Sequence, residues 1–146
     1  MNARVISLQI RTEKHGAPMP VAEGIGRVDG GIEGDVHAQR TTRAVLVIDR
    51  STLEALDLRP GDLREEITIE GLPDVTNLPP DTEVRIGGVT LRVNGPCEPC
   101  THIGELLARY RHEVETTEPL AFGVWAHVER AGTVRRGDDV VVEDPA

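Results

Sequence analysis

The spacing of apolar and polar residues along the chain predicts mainly short β-strands. Residues 4–11 alternate between two sets of side chains, as a strand with one buried face does. Residues 43–49 form a continuous apolar run, which is typical of a strand buried on both faces. A Gly-Gly pair separates the runs 84–86 and 89–93 and predicts a tight hairpin. Further strands are expected around residues 67–69, 122–130 and 138–143.

Signals for helices are few. Ser51, with Glu54 three residues later, forms a capping box and predicts a short helix over residues 52–57. Thr101 would cap a second helix. Residues 14–24 carry glycine and proline breakers and are expected to form a loop. Without an alternation of strands and helices, the pattern favours a mostly antiparallel barrel or sandwich, mostly β with a few short helices.

Length and charge limit the function classes. The chain has 146 residues, which predicts a single domain over residues 1–146. With 16 basic against 25 acidic residues, the net charge of −9 opposes nucleic acid and anionic membranes. A small anionic ligand held by a few local donors remains compatible with that charge. No apolar stretch reaches the roughly 18 residues of a membrane span, and no secretion signal is visible, so a cytoplasmic location is expected.

Two cysteines are the first candidates for chemistry. Cys97 and Cys100 flank Glu-Pro, and Cys100 lies at the expected start of a helix, where free backbone N–H groups favour a thiolate. A thiolate attacks sulfur, accepts sulfane sulfur or ligates a metal. Two alternatives stay open: two small side chains buried in a turn, or zinc held by Cys97, Cys100, His102 and His37.

A glycine-rich segment is the second candidate. Residues 30–37 read Gly-Gly-Ile-Glu-Gly-Asp-Val-His, so backbone N–H groups could face an anion beside Asp35 and His37. The alternative is a connecting turn with a capping aspartate. Arg40 and Arg43 follow as candidate anion contacts, although most surface arginines are merely solvated.

Several segments share an order and spacing with a known family. They are Gly31-Ile-Glu-Gly-Asp-Val-His37, Arg43 before the apolar strand that ends at Asp49, Pro60-Gly-Asp-Leu-Arg-Glu-Glu-Ile-Thr-Ile-Glu-Gly71, Ile86-Gly-Gly-Val-Thr-Leu91, Pro99-Cys100, Gly123-Val-Trp-Ala126, Gly132-Thr-Val and Gly137-Asp-Asp-Val140. Together they resemble the MOSC domain, the module named for the C-terminal part of molybdenum cofactor sulfurases. The resemblance covers about residues 24–143, which would make the chain a small stand-alone member.

The resemblance implies a β-barrel-like fold and a central reactive cysteine. In this family the cysteine is taken to carry sulfur for metal–sulfur assembly or to ligate molybdenum of a pterin cofactor, and some members reduce N-hydroxylated compounds. The implied site has Cys100 as the reactive residue and molybdenum ligand, Asp35 and His37 as positioning or proton-transfer groups, Gly31, Gly34, Arg40 and Arg43 around the cofactor, and Cys97 as a resolving thiol.

The expected function is therefore a sulfurtransferase-like carrier or a molybdenum-dependent N-hydroxyl reductase. Its partners would be a small-molecule cofactor or substrate and a sulfur-donor or redox protein. The alternative is a non-catalytic ligand- or partner-binding module on the same fold. Two departures from the family pattern make the pocket less positive: Glu66 stands where an asparagine is usual and is expected to be anionic, and Phe122 stands where an arginine is common.

Overall fold

The computed structural model describes residues 3–98 and 122–143. Strands dominate these ranges, and the helices are short, so the predicted mostly-β fold is confirmed. The elements are β1 (Ala3–Ile10), β2 (Met19–Pro20), β3 (Glu23–Gly26), β4 (Val45–Asp49), α1 (Arg50–Ala55), β5 (Ile67–Glu70), a 3-10 turn (Val75–Asn77), β6 (Glu83–Ile86), β7 (Val89–Pro96), β8 (Val124–Arg130), β9 (Gly132–Arg135) and β10 (Asp139–Glu143).

Seven of the described strands close into a barrel. Their order is β10-β6-β7-β8-β4-β5-β1, and β1 returns to β10 through the pairs Ala3–Val140 and Arg4–Asp139. The neighbouring strands run antiparallel, except for the parallel pair β4–β5. Strand β2 pairs with the far end of β1, and β3 and β9 form a separate two-stranded sheet.

Strand β4 separates two hydrophobic clusters. All five of its residues are buried, as its continuous apolar run predicts. Successive side chains of a strand point to opposite faces. Val45 and Val47 therefore pack inside the barrel, whereas Leu46 and Ile48 pack against a second cluster that includes Leu53 of α1. This second, outer cluster borders the candidate site.

The helix that follows β4 begins earlier than the sequence predicted. Helix α1 spans Arg50–Ala55, and its N-cap is Asp49 rather than Ser51. The Asp49 carboxylate accepts a hydrogen bond from the Ser51 N–H at 2.9 Å, because β4 runs directly into the helix and places this side chain at the cap. Glu54 forms an ion pair with Arg50 at 3.1 Å instead of closing a capping box.

One connection was not predicted. Strand β4, helix α1 and the parallel strand β5 form a single crossover, although the sequence pattern indicated no such unit. The helix has only six residues, so its apolar periodicity is too short to recognise as a crossover helix.

Two segments expected to be loop or turn contain strands. Part of residues 14–24 belongs to β2 and β3, and the turn expected between Gly132 and Gly137 contains β9. The glycines in these strands allow close packing: a Cβ on Gly132 would lie 2.0 Å from the Gly88 carbonyl oxygen. The predicted hairpin β6–β7 is confirmed, with Gly87 at a φ of +58° in its turn. No helix within the described residues is long and apolar enough to cross a membrane.

Candidate functional site

A cavity of about 210 Å³ opens on the outer face of β4 and β8. Its wall is apolar where it borders the second cluster, through Leu46, Ile48, Leu63 and Phe122. Polar and aromatic groups complete the lining among the described residues: Arg11, His37, Arg40, Arg64, Cys97, Glu98 and Trp125. The combination of an apolar wall with a few polar groups is typical of small-molecule sites.

Arginines give this cavity a positive lining in an acidic protein. Among the described residues, Arg11, Arg40 and Arg64 line it together with one carboxylate, Glu98, although the chain has a net charge of −9. Arg11 is 6% exposed and donates from Nη1 to the Lys14 carbonyl at 2.8 Å. Its Nε is buried and has no hydrogen-bond partner within the described part of the chain. A buried charged donor without an acceptor is costly, which makes Arg11 a candidate anion contact.

Asp35 is held by the backbone at the end of β1. Its Oδ1 accepts from the Arg11 N–H at 2.9 Å, and its Oδ2 accepts from the His37 N–H at 3.1 Å. The Val36 N–H donates to the Arg11 carbonyl at 2.7 Å and ties the same turn to β1. The buried carboxylate therefore has a fixed orientation next to the cavity.

Glu66 lies immediately before β5 and is also buried. Its Oε1 accepts from the Leu46 N–H at 2.7 Å and so extends the β4–β5 pairing by one hydrogen bond. Burial raises the pKa of Glu66 from 4.5 to about 7, and the nearby Asp35 adds to the rise, while His37 and the Leu46 amide oppose it. Burial therefore favours the protonated form of Glu66, whereas the sequence alone predicts an anionic side chain.

His37 joins these two carboxylates. Its Nδ1 lies 3.5 Å from Glu66 Oε2 and 4.0 Å from Asp35 Oδ2. This nitrogen is buried and makes no hydrogen bond to any described residue. The ring also contacts Trp125 edge-to-face, with the ring centroids 5.7 Å apart. We refer to Asp35, His37 and Glu66 as the acid–histidine cluster.

Glu65 faces a different environment from its neighbour. Its Oε2 accepts from the Thr68 hydroxyl at 2.9 Å, and Gln9 Nε2 donates to its backbone carbonyl at 3.0 Å. Burial raises the pKa of Glu65 as well, against hydrogen bonds that include one from the Gly61 amide. The two adjacent buried glutamates thus belong to two separate sets of polar contacts, Glu65 with Thr68 and Gln9, and Glu66 with Leu46 and His37.

The structure brings four of the predicted site residues to the cavity. The cavity is lined by His37, Arg40 and Cys97, and Asp35 accepts a hydrogen bond from the His37 backbone N–H. The carbonyl oxygen of Cys97 accepts from the Phe122 N–H at 2.8 Å, which joins the cysteine segment to the start of β8. The roles assigned to these residues stay predictions.

The other predicted residues lie elsewhere or are not described. Arg43 does not belong to the described cavity lining, and its backbone N–H donates to Asn94 Oδ1 at 2.8 Å. Gly31 packs against Ala44, the residue before β4, and a Cβ on Gly31 would lie 2.9 Å from the Ala44 carbonyl oxygen. Gly34 adopts a φ of +86° in the turn before Asp35. Cys100, His102 and the predicted second helix lie outside the described residues.

Sequence reasoning missed Arg11, Arg64 and the part that Trp125 plays in the cavity. Arg11 is the last residue of the alternating segment 4–11 and directly follows β1, and nothing in that pattern shows that its side chain is buried. Trp125 is the single tryptophan of the chain, and this was the one feature of the sequence that could have marked it as a candidate site residue. Its position in β8 places the indole against His37.

Comparison with solved structures supports the fold. The YuaD protein from Bacillus subtilis is 20% identical, with a TM-score of 0.76, and the match covers 96% of this chain and 94% of that one. YiiM from Escherichia coli is 18% identical, with a TM-score of 0.67 and coverages of 100% and 71%. YiiM from Geobacillus stearothermophilus is 13% identical, with a TM-score of 0.67 and coverages of 97% and 75%. At these identities the likeness shows a shared fold.

The family comparison extends over most of the sequence. No protein of curated function matches the chain significantly. The family model of the MOSC domain matches residues 15–141, a range that includes the acid–histidine cluster and every barrel strand except β1 and the end of β10. On that match the chain belongs to the MOSC domain family.

Proposed function

We propose that the cavity binds an anionic small molecule, and that this ligand is a molybdenum-pterin cofactor. The observation that carries the proposal is the set of three arginines on one small cavity in a protein of strongly negative net charge. The buried Arg11 Nε, which has no acceptor among the described residues, adds to it, because a ligand oxygen would complete its hydrogen bonding.

The residues present fit such a cofactor. Arg11, Arg40 and Arg64 would hold its phosphate, since guanidinium groups bind phosphate through paired hydrogen bonds. Trp125 and Phe122 would pack against its flat ring system. When bound, the cofactor supplies two-electron redox chemistry and a metal that accepts a thiolate ligand. Cys100 would be that ligand, as the family resemblance predicts.

The acid–histidine cluster would manage protons beside the ligand. Glu66 has a pKa of about 7, so at neutral pH it can both donate and accept a proton. His37 lies between Glu66 and the cavity and would pass the proton on. Asp35, fixed by two backbone N–H groups, would set the orientation of the turn that carries His37.

Sulfur transfer is a second candidate because Cys97 lines the same cavity. The Cys100 thiolate would attack the sulfane sulfur of a donor persulfide, which forms a persulfide on Cys100 and releases the donor as a thiolate. Cys97 would then attack the inner sulfur of that persulfide. A Cys97–Cys100 disulfide forms, and the outer sulfur leaves as hydrosulfide.

The test combines elemental analysis with a direct binding measurement. The protein is produced in a host that makes the cofactor, and bound molybdenum is quantified for wild type and Cys100→Ser. Separately, the fluorescence of Trp125 is titrated with pyrophosphate or molybdate, which is informative because the chain has a single tryptophan. Arg64→Gln should weaken anion binding by about tenfold, the effect of one lost charged hydrogen bond.

Arg85→Gln is the matched control, because Arg85 is exposed on β6, pairs with Glu143 and lies away from the cavity lining. Molybdenum that disappears in Cys100→Ser supports the cofactor role. Sulfane sulfur trapped on Cys100 without molybdenum supports the carrier role. Anion binding without either signal favours the non-catalytic binding module. The proposal fails if no anion binds, or if both arginine variants weaken binding equally.

A further inference from the structure

We propose that Asp35, His37 and Glu66 form a binding site for one divalent first-row transition-metal ion beside the cavity. Binding of the metal requires neither an anionic ligand nor a cysteine, so the inference does not rest on the proposed cofactor. A bound ion would occupy His37 Nδ1 and Glu66 Oε2, and it would then replace the proton transfer proposed above for these two groups.

The geometry of the acid–histidine cluster suits a small cation. One ligand atom from each of the three side chains lies within 4.8 Å of the others. The distances from His37 Nδ1, 3.5 Å to Glu66 and 4.0 Å to Asp35, lie close to the spacing of neighbouring ligands around zinc. Ligand bonds of about 2.1 Å at tetrahedral angles separate two such atoms by about 3.4 Å.

The two carboxylates are already oriented by the backbone. Glu66 uses Oε1 to accept from the Leu46 N–H, which leaves Oε2 toward the histidine. Asp35 is held at both oxygens by backbone N–H groups, each of which uses only one lone pair of its oxygen. Hydrogen bonds of this kind hold metal ligands in place and increase affinity.

His37 supplies the observation that the carboxylates alone would not. Its Nδ1 is buried and lacks a hydrogen-bond partner among the residues that the structure describes, and the residue as a whole is 9% exposed. A buried nitrogen that faces two carboxylate oxygens at 3.5 and 4.0 Å, without a hydrogen bond to either, is an arrangement that a metal ion would complete.

The charges of the two buried carboxylates also favour a bound cation. Asp35 and Glu66 are 6% and 2% exposed, and the described ion pairs give them no cationic partner except His37. The Asp35 and Glu66 carboxylates have ligand atoms within 4.8 Å of each other, and a divalent ion would compensate their negative charge when both are ionised. Ligands of one imidazole and two carboxylates favour zinc, manganese or iron(II) over calcium, which prefers six or more oxygens.

The experiment titrates the full chain, freed of metal by a chelator, with Zn²⁺ and with Mn²⁺. Calorimetry and equilibrium dialysis with elemental analysis give the stoichiometry and affinity. We expect one ion per chain for wild type and at least about a tenfold loss of affinity in Glu66→Gln and His37→Gln, since even outer-sphere changes cost about 10–100-fold. Glu65→Gln is the matched control, because Glu65 is equally buried but faces Thr68, and its affinity should match wild type.

Two further measurements keep the inference testable if a variant fails to fold. A variant with serine at both Cys97 and Cys100 must still bind the metal, which separates this site from thiol-bound zinc. In wild type, one equivalent of Mn²⁺ should broaden the NMR signal of the Trp125 indole, because this ring lies 5.7 Å from the His37 ring.

Absence of one-to-one binding to wild type would overturn the inference. It would also be overturned if the affinity survived in a folded Glu66→Gln variant, if binding vanished in the double serine variant, or if Mn²⁺ left the Trp125 signal sharp. None of these arms includes an anion, so their failure is distinct from failure of the proposed cofactor binding.

Discussion

Replacing Glu66 by glutamine should change how the stability of the metal-free protein depends on pH. A glutamine oxygen can still accept the Leu46 N–H, so the change removes the ionisable group while keeping the 2.7 Å hydrogen bond. Burial raises the pKa of Glu66 from 4.5 to about 7, so the folded protein binds this proton more tightly than the unfolded chain does.

The sign and size of the change in stability with pH follow from proton linkage. Below about pH 4.5 the carboxyl is protonated in both states, and its contribution to stability is fully present. As pH rises through about 7, the folded protein must ionise a buried group, and that contribution is lost. A shift of this size at about 1.4 kcal/mol per pH unit corresponds to a loss of about 3 kcal/mol in total, most of which falls between pH 5 and pH 8.

The assay is urea unfolding of wild type and Glu66→Gln at pH 5 and pH 8 with a chelator present. The drop in the free energy of unfolding between these pH values should be about 2 to 3 kcal/mol smaller in the variant than in wild type. Glu70→Gln is the control. Hydrogen bonds from Arg4 and Arg50 lower the pKa of Glu70, so its contribution is lost only as pH falls below its usual range. Equal drops in wild type and Glu66→Gln would refute the buried-proton reasoning.

Three substitutions test the packing. Ile69→Ala, at a fully buried position of β5, should lower the free energy of unfolding in urea by about 2 to 5 kcal/mol. Val141→Ala, at a partly exposed position, should lower it by less than about 1 kcal/mol. Gly123→Ala, where a Cβ would meet a β4 carbonyl at 2.1 Å, should lower the melting temperature far more than Gly137→Ala, whose Cβ meets nothing within 4 Å. Asp49→Ala should lose about 1 to 3 kcal/mol by thermal unfolding, since one carboxylate oxygen caps α1 and the other accepts the Leu72 N–H. Asp49→Asn should retain only part of that stability, because its amide has one acceptor oxygen for these two N–H groups. Equal effects within any of these pairs would contradict the contacts described.

Local patterns predicted the barrel strands well. The apolar run of β4 and the Gly-Gly turn of the β6–β7 hairpin are properties of consecutive residues, so periodicity reveals them. The pairing of β3 with β9 could not be read in this way. Both strands contain glycine, and what makes them strands is the close approach of backbone to backbone, which side-chain periodicity does not record.

The candidate site also contains residues whose proximity the sequence predicts and residues that only the tertiary fold brings together. Asp35 and His37 are two residues apart in a turn, so their proximity follows from the sequence. Glu66 joins them only because the parallel pairing of β4 and β5 brings the start of β5 to the same place. Arg11 has the polarity of a surface residue, and only the tertiary packing shows that it is buried. Burial of charged groups depends on distant segments, so a local pattern cannot predict it.

The pairing of the first strand with the last affects how the protein can fold during synthesis. Residues Ala3 and Arg4 bond to Val140 and Asp139, so this pairing must wait until nearly the whole sequence has left the ribosome. Until then, β1 and β6 each present one unpaired strand edge on the nascent chain, and such edges promote association between chains. Contacts this distant in sequence also slow folding. Under rapid translation or on crowded polysomes, this protein should therefore aggregate more than a domain that is built from local contacts.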